Sequence, residues 1–286
     1  MNTPSRPRAT KIICTIGPAT DTSDMLGQLI EAGANVFRLN MSHSKHDWVR
    51  EVVFRIRRKA AELKANVAIL FDLQGPSIRT GDLLEPYHLK KGDTVEIRLG
   101  TAKPELPFST TVNYDGLLQD VQAGHTMVVD NGGILMRIAE VRPDRLICDV
   151  LTEGVFGSRR HINLPGVALR LPALTEKDLA DLAVAVECET DYVAMSFVRD
   201  AAHIAQLREH IDNLGGKAQI VAKIEDQQAV RHIDDIILAA DVIMVARGDL
   251  GIEVSIEELP IIQRRIVRHC HRLDAAASWQ RICWNP

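Results

Sequence analysis

The chain has 286 residues, of which 46% are hydrophobic and 25% are charged. This composition is that of a globular protein with a substantial core, and it excludes disorder as a description of the whole chain. The formal net charge of -4 gives no reason to expect a nucleic acid or an anionic membrane surface as a partner. Binding of small anions would therefore need a local cluster of cations.

The chain begins with a short polar segment at residues 1–8. It holds no apolar stretch that could act as a secretory signal or membrane anchor, so we expect a cytoplasmic protein. The five cysteines are scattered without a C-x-x-C pair, at Cys14, Cys148, Cys188, Cys270 and Cys283. This spacing predicts neither a disulfide framework nor a zinc knuckle.

The first 75 residues show alternating strand and helix patterns. Apolar, β-branched runs predict strands at 11–17, 35–40 and 67–73, and amphipathic stretches predict helices at 21–34 and 46–64. The third run is apolar enough to be covered on both faces, as parallel strands are. A β-α-β arrangement is therefore expected at the start of the chain.

The pattern changes at residues 76–171. Short β-like stretches at 94–99, 126–129, 134–141 and 145–151 are separated by Gly, Asp, Asn and Pro, and no long helix is predicted between them. About 95 residues is a common size for an autonomous domain. We predict a small all-β domain, inserted after the third strand, that could act as a lid.

The α/β pattern then resumes, with helices predicted at 175–187, 201–214 and 227–240 and strands at 192–197, 219–225 and 242–246. Thr175 with Asp178 has nearly the spacing of a capping box, and Ser255 with Glu258 predicts another before a helix that ends near Leu273. Six strands are thus predicted. The expected fold is an incomplete TIM (β/α)8-type barrel with an inserted small all-β lid domain, divided into residues 1–75, 76–171, 172–273 and a divergent tail at 274–286.

Chemically informative segments follow the predicted strands, where parallel barrels place their active sites. They read NVFRLNMSH at 35–43, FDLQGPSIR at 71–79, QIVAKIED at 219–226 and ARGDLGIE at 246–253. Further segments are CTIGPAT at 14–20, INLPG at 162–166, LTEKD at 174–178 and MSFVR at 195–199. In order, type and spacing this set resembles the pyruvate kinase family. The resemblance runs from about Arg8 to Leu273 and implies phosphoryl transfer from phosphoenolpyruvate to ADP, giving pyruvate and ATP.

Candidate substrate and metal residues lie in these segments. Arg38 offers a planar fork of donors to a phosphate, although a surface ion pair is the simpler interpretation of an isolated arginine. Glu225 and Asp249 could converge on one hard divalent cation, whereas isolated carboxylates at strand ends are commonly helix caps. Lys223 should face the same side as Glu225, either to stabilise charge on a transferring phosphoryl group or as a structural partner of a carboxylate.

The family resemblance assigns roles to these residues. It implies that Glu225 and Asp249 bind Mg²⁺ or Mn²⁺ and that Lys223 and Arg38 are catalytic. Arg38, Lys223 and Asp249 are also implied to bind the substrate. It also implies that the preceding Ala246, Arg247 and Gly248 shape the substrate loop.

A potassium site is a further implication of the resemblance, formed by Asn40, Ser42, Asp72 and the backbone carbonyl of Leu73. Potassium-dependent members usually have Thr-Lys after this Asp and a Glu after Gly-Pro. Here Leu73, Gln74 and Ser77 stand at those positions. Leu73-Gln74 resembles another branch of the family, in which a lysine at the position of Ser77 can supply the positive charge instead of potassium. That lysine is absent here too, so the sequence leaves potassium dependence open.

The chain contains no Walker-type segment that would mark where the phosphates of a nucleotide bind. The resemblance implies that Arg79 approaches its phosphates together with a basic residue before INLPG, where this chain has Arg159 and Arg160. A solvated basic patch is an equal alternative for these two arginines.

The end of the chain departs from the family after Leu273 and reads DAAASWQRICWNP. Relatives continue there into strand seven, a threonine segment involved in proton transfer, and a C-terminal domain used to assemble homotetramers. We expect a truncated barrel with two exposed strand edges, impaired activity and doubtful solitary folding. A frameshift or truncated gene is the preferred explanation.

Two alternative functions remain from the sequence. One is another barrel enzyme that uses pyruvate or phosphoenolpyruvate, such as a metal-dependent aldolase, although the inserted β domain argues against it. The other is an inactive fragment that retains metal or anion binding.

Overall fold

The computed structural model describes residues 10–280. The polar start at 1–8, Cys283 and the last residues of the divergent tail, 281–286, lie outside this range. The described residues fold into two compact units. The first comprises the residues up to Gly75 with Leu174–Ser196 and Ile204–Ala222, and the second comprises Pro76–Ala173, Phe197–His203 and the residues from Lys223 onward.

The first part of the chain has the predicted alternation of strands and helices. Its elements are β1 (Ile13–Ile16), α1 (Ser23–Glu31), β2 (Val36–Asn40), α2 (His46–Glu62) and β3 (Ala68–Asp72). The strands pair in parallel, and Asn40 at the end of β2 lies opposite Asp72 at the end of β3. Phe37, Phe71 and the inner face of α2 are fully buried or nearly so, so burial of one apolar face stabilises this layer.

The inserted segment is all β apart from one helical turn. It contains β4 (Tyr87–Leu89), β5 (Thr94–Arg98), β6 (Ser109–Thr111), α3 (Leu117–Asp120), β7 (Thr126–Val129), β8 (Ile134–Val141), β9 (Arg145–Val150), β10 (Gly154–Phe156) and β11 (Ile162–Asn163). Six strands form a sheet in the order β11-β7-β8-β9-β5-β6, and β10 pairs with β4. Inward residues such as Val95, Met127 and Ile138 form a continuous core. In β8 burial alternates along the strand, with Ile134, Met136 and Ile138 inside, as expected for a sheet with one covered face.

The last part returns to α/β alternation. Its elements are α4 (Glu176–Glu187), β12 (Tyr192–Met195), α5 (Ala201–Asn213), β13 (Gln219–Ile224), α6 (Gln227–Arg231), α7 (Ile233–Ala239), β14 (Val242–Ala246), α8 (Arg247–Glu253), α9 (Leu259–Arg272) and β15 (Ala276–Gln280). Within the first unit, β12 pairs in parallel with both β3 and β13. Within the second, β14 pairs in parallel with β15. The predicted class, an incomplete barrel of parallel strands with an inserted β domain, is confirmed.

Several local predictions can be compared with these elements. Thr175 and Asp178 form a complete capping box at the start of α4, as predicted. The predicted helix at 227–240 is instead two helices that meet at His232. Ser255 and Glu258 are hydrogen bonded, but α9 begins only at Leu259, with a proline in its first turn.

The prediction of six barrel strands is wrong. Ala276–Gln280, in the segment interpreted as a divergent tail, pairs in parallel with Val242–Ala246 as a seventh strand. Its residues, AASWQ, carry little β-branched signal, so local propensity gave no indication of a strand. Pairing with β14 satisfies backbone groups that an edge strand would otherwise leave open.

Candidate active site

In the first unit, Arg38 lies in the middle of β2 and is held by side chains of the two neighbouring parallel strands, β1 and β3. Its Nε donates to Asp72 Oδ2 at 2.7 Å, its Nη2 lies 2.5 Å from the same oxygen, and its Nη1 donates to Thr15 Oγ1 at 2.9 Å. Asp72 is 2% exposed, so the ion pair is nearly removed from water. A guanidinium has five N–H donors. Arg38 is thus oriented by the protein and retains donors for an anion.

The four residues predicted to bind potassium lie in the same unit. Asn40 Oδ1 accepts from the backbone N–H of Ser42 at 3.1 Å, and the Leu73 carbonyl accepts from the Ser196 hydroxyl at 2.8 Å. Asp72 is already paired with Arg38. Oxygens of Asn40, Leu73 and Asp72 thus already take part in hydrogen bonds or an ion pair. Oxygen donors of this kind suit a hard monovalent cation, which would have to share Asp72 with Arg38.

In the second unit, Lys223 and Glu225 form a buried ion pair. Lys223 Nζ lies 2.8 Å from Glu225 Oε1, and the two side chains are 9% and 2% exposed. Glu225 Oε2 accepts from the backbone N–H of Phe197 at 2.7 Å. Phe197 has a φ of 55°, which is uncommon for a bulky residue. The strained turn therefore presents its N–H to this carboxylate.

The carboxylate of Glu225 is buried and is influenced by charges of both signs. Burial raises its pKa, and the nearby charge of Asp249 raises it further, while Lys223 acts in the opposite direction. Two nearby carboxylates are a donor set that a hard divalent cation stabilises. Among residues 10–280 no group of three or more His, Cys, Asp or Glu side chains is arranged to hold a metal. A cation at Glu225 and Asp249 would therefore need further oxygens from a substrate or water.

Asp249 lies just after the tight junction between β14 and α8. The strand ends at Ala246, which is fully buried, and the helix begins at the next residue, Arg247. Asp249 falls in the first helical turn. A Cβ added at Gly248 would meet no atom within 4 Å, so the backbone there borders open space.

The three arginines predicted to approach a nucleotide are placed at one end of the inserted domain. Arg79 Nη1 donates to the carbonyl of Arg159 at 3.1 Å. The guanidinium of Arg159 forms a bidentate pair with Asp82 at 2.6 and 2.9 Å and is largely exposed, and Arg160 pairs with Asp130 at 3.3 Å. The Arg79 side chain thus contacts the main chain of Arg159. The guanidinium groups of Arg159 and Arg160 form ion pairs with carboxylates of the inserted domain.

A cavity of about 310 Å³ in the second unit contains polar groups to which the sequence patterns gave no role. Its lining includes His161, Asn163, Asp226, Glu253 and Arg199. Burial lowers the pKa of His161 to about 4 and raises that of Glu253 to about 7. Asn163, Asp226 and Glu253 each lie inside a recognised motif, but burial of a polar side chain depends on distant segments and has no local sequence signal.

The fold and these side chains define a class: an α/β barrel-type enzyme domain with an inserted β domain and a lysine-carboxylate cluster at the end of a parallel strand. Comparison with known proteins narrows the class. The family model described as "Pyruvate kinase, barrel domain" matches residues 7–278. The chain belongs to the pyruvate kinase family, whose members are phosphotransferases.

Individual relatives agree with this assignment. Plastidial pyruvate kinase 2 of Arabidopsis thaliana is 40% identical over 276 residues, covering 96% of this chain and 47% of the relative. Pyruvate kinase of Clostridium perfringens is 39% identical over 265 residues, covering 92% and 56%. Pyruvate kinase of Geobacillus stearothermophilus is 40% identical over 270 residues, covering 93% and 46%. The chain spans about half the length of these relatives.

The family match also includes part of the segment that was expected to diverge, because it extends to residue 278. This agrees with the seventh strand in the structure. No helix within residues 10–280 combines the length and apolar character needed to cross a membrane.

Proposed function

We propose that this chain carries the phosphoenolpyruvate and metal sites of a pyruvate kinase and transfers a phosphoryl group from phosphoenolpyruvate to ADP. The observation that carries the proposal is the buried cluster of Lys223 and Glu225 with Asp249 close enough to raise the pKa of Glu225. Membership of the pyruvate kinase family supports the choice of substrates. Glycolytic formation of pyruvate and ATP is the corresponding cellular role.

In this proposal Lys223 stabilises the phosphoryl group during transfer. Its ammonium group is largely buried, so its interaction with a developing negative charge is weakly screened. The salt bridge with Glu225 fixes the direction of the Lys223 side chain. Arg38, oriented by Asp72 and Thr15, supplies a second set of donors for the phosphate oxygens.

Glu225 and Asp249 would hold Mg²⁺ or Mn²⁺. When bound, the divalent cation supplies positive charge to substrate oxygens. The main-chain turn at Ala246, Arg247 and Gly248 borders the substrate. Arg79 is the proposed phosphate contact for ADP, with Arg159 and Arg160 contributing only after release from Asp82 and Asp130. K⁺ at Asn40, Ser42, Asp72 and Leu73 is proposed as an optional activator.

Turnover of phosphoenolpyruvate and ADP, coupled to lactate dehydrogenase, tests the proposal. Wild-type chain should form pyruvate continuously, and Lys223→Met should lower kcat by at least about 100-fold, since a preorganised charged donor is worth about that factor. Lys217→Met removes an exposed lysine that precedes the same strand and should retain wild-type turnover. Folded wild-type chain without turnover would support the inactive-fragment alternative, and equal rates in both variants would refute the role of Lys223.

A further inference from the structure

The turn that follows β2 is held by hydrogen bonds at both peptide groups of Met41. In the first peptide, the Asn40 carbonyl accepts from the Ser44 hydroxyl at 2.8 Å, and the Met41 N–H donates to the carbonyl of Asp72 at 2.9 Å. In the second, the N–H of Ser42 donates to Asn40 Oδ1 at 3.1 Å. Three of the four polar groups thus bond to residues of the turn itself or of β3.

The fourth group, the Met41 carbonyl, accepts from Nζ of Lys177 at 2.7 Å. Lys177 lies in the first turn of α4 and follows Met41 by 136 residues in the sequence. The peptide between Met41 and Ser42 is trans and planar, so its C=O and N–H point in opposite directions. When the carbonyl faces Lys177, the N–H of Ser42 therefore faces Asn40. Lys177 thus fixes the group that orients the Asn40 side chain.

Asp181 holds the Lys177 side chain in this position. Lys177 Nζ donates to Asp181 Oδ2 at 2.6 Å, and the other carboxylate oxygen lies 2.7 Å from Nε2 of His46 at the start of α2. The Asp181 side chain is completely buried, whereas that of Lys177 is 43% exposed. A lysine with this much exposure loses rotamer freedom when it is fixed in one direction. The buried carboxylate therefore selects the rotamer that reaches the Met41 carbonyl.

We infer that Lys177 is a positioning residue for the proposed K⁺ site and that Asp181 acts through it. The inference rests on the proposed function, because it treats Asn40 and Ser42 as K⁺ ligands. An amide oxygen has two lone pairs, so Asn40 Oδ1 can accept from Ser42 and still bind a cation. Residues that orient metal ligands without touching the metal commonly change metal affinity by about 10-fold to 100-fold when mutated.

The test is binding of Tl⁺, a substitute for K⁺ with a magnetic nucleus, to the full chain by ²⁰⁵Tl nuclear magnetic resonance. The samples are wild type, K177M, D181N and the double variant. K217M is the matched control, because it removes an exposed lysine from the same unit. We expect K177M to raise the Kd for Tl⁺ about 10-fold, the double variant to raise it by little more, and K217M to stay within about twofold of wild type.

The sign of the change in K177M separates positioning from simple electrostatics. Removing a positive charge near a cation site favours the cation by Coulomb's law, so charge alone predicts a lower Kd. A Kd in folded K177M that is equal to or below that of wild type would overturn the inference. A double variant whose effect is the product of the two single effects would overturn the role of Asp181, since independent sites show additive free energies. If D181N does not fold, K177M decides alone.

Turnover of phosphoenolpyruvate and ADP by the same samples separates this inference from the proposed function. Wild-type chain that binds Tl⁺ but forms no pyruvate counts against the proposed function, and the comparison of Kd values still decides the role of Lys177. Wild-type chain that forms pyruvate but binds no Tl⁺ overturns the inference and the proposed K⁺ site, and leaves phosphoryl transfer standing.

Discussion

Asp178→Ala should strongly destabilise the first unit. The Asp178 carboxylate is completely buried and accepts from the backbone N–H of Gly75 at 3.0 Å, the backbone N–H of Thr175 at 2.8 Å and the Thr175 hydroxyl at 2.6 Å. It therefore completes the capping box of α4 and also anchors the turn that follows Leu73. One carboxylate connects segments that are about a hundred residues apart in sequence.

The magnitude follows from the groups that the substitution leaves without partners. Loss of a capping interaction costs about 1 kcal/mol. A buried N–H without an acceptor, here that of Gly75, costs about 1–3 kcal/mol. Together the free energy of unfolding should fall by about 3 kcal/mol. The turn after Leu73 should also lose its order, since Asp178 is its buried acceptor.

Urea denaturation followed by far-ultraviolet circular dichroism measures this change. Glu176→Ala is the matched control, because it removes an exposed carboxylate from the same first turn of α4. The control should cost no more than about 0.5 kcal/mol, the contribution of a charge near a helix N-terminus. Equal destabilisation in Asp178→Ala and Glu176→Ala would refute the structural role given to Asp178.

Two further predictions concern pH and core packing. The pKa of His161 is lowered by burial to about 4 from an ordinary value of 6.5; the unfolded chain therefore takes up a proton first, and stability should fall as the pH decreases from 6.5 toward 4. At pH 5 the resulting loss in the free energy of unfolding is about 2 kcal/mol. Urea unfolding at pH 7.5 and pH 5 should therefore show a smaller difference in His161→Gln than in wild type. An equal difference in the two proteins would contradict the assigned burial of His161. Phe71→Ala should lower the free energy of unfolding by about 3–5 kcal/mol because Phe71 is fully buried. Phe54→Ala should lower it by less than about 0.5 kcal/mol because Phe54 is 64% exposed. Similar urea midpoints for the two variants would show that the assigned core is wrong.

Local patterns in the sequence predicted much of the fold. Thr175 and Asp178 have the spacing of a capping box, and the structure contains both of its hydrogen bonds. Apolar runs such as 67–73 indicated parallel strands because burial on both faces leaves a continuous signal. By contrast, Ala276–Gln280 is a strand because it pairs with β14, and its own residues do not indicate it.

The site shows the same limit. The motif spacing indicated Lys223 and Glu225 on one side of a strand, and their atoms are 2.8 Å apart. The partner of Arg159 was not predicted, because Asp82 is distant in sequence and meets this residue only in the folded chain. Whether a charged group serves a ligand or another side chain therefore depended on tertiary structure.

The most direct test of the proposed function is to identify the product by ³¹P nuclear magnetic resonance. Phosphoenolpyruvate, ADP, Mg²⁺ and K⁺ are mixed with catalytic amounts of the folded chain. The proposed function predicts loss of the phosphoenolpyruvate signal and matching growth of the γ-phosphate signal of ATP, both abolished by Lys223→Met. Unchanged phosphoenolpyruvate, or its consumption with release of inorganic phosphate and no ATP, would contradict phosphoryl transfer to ADP by this chain.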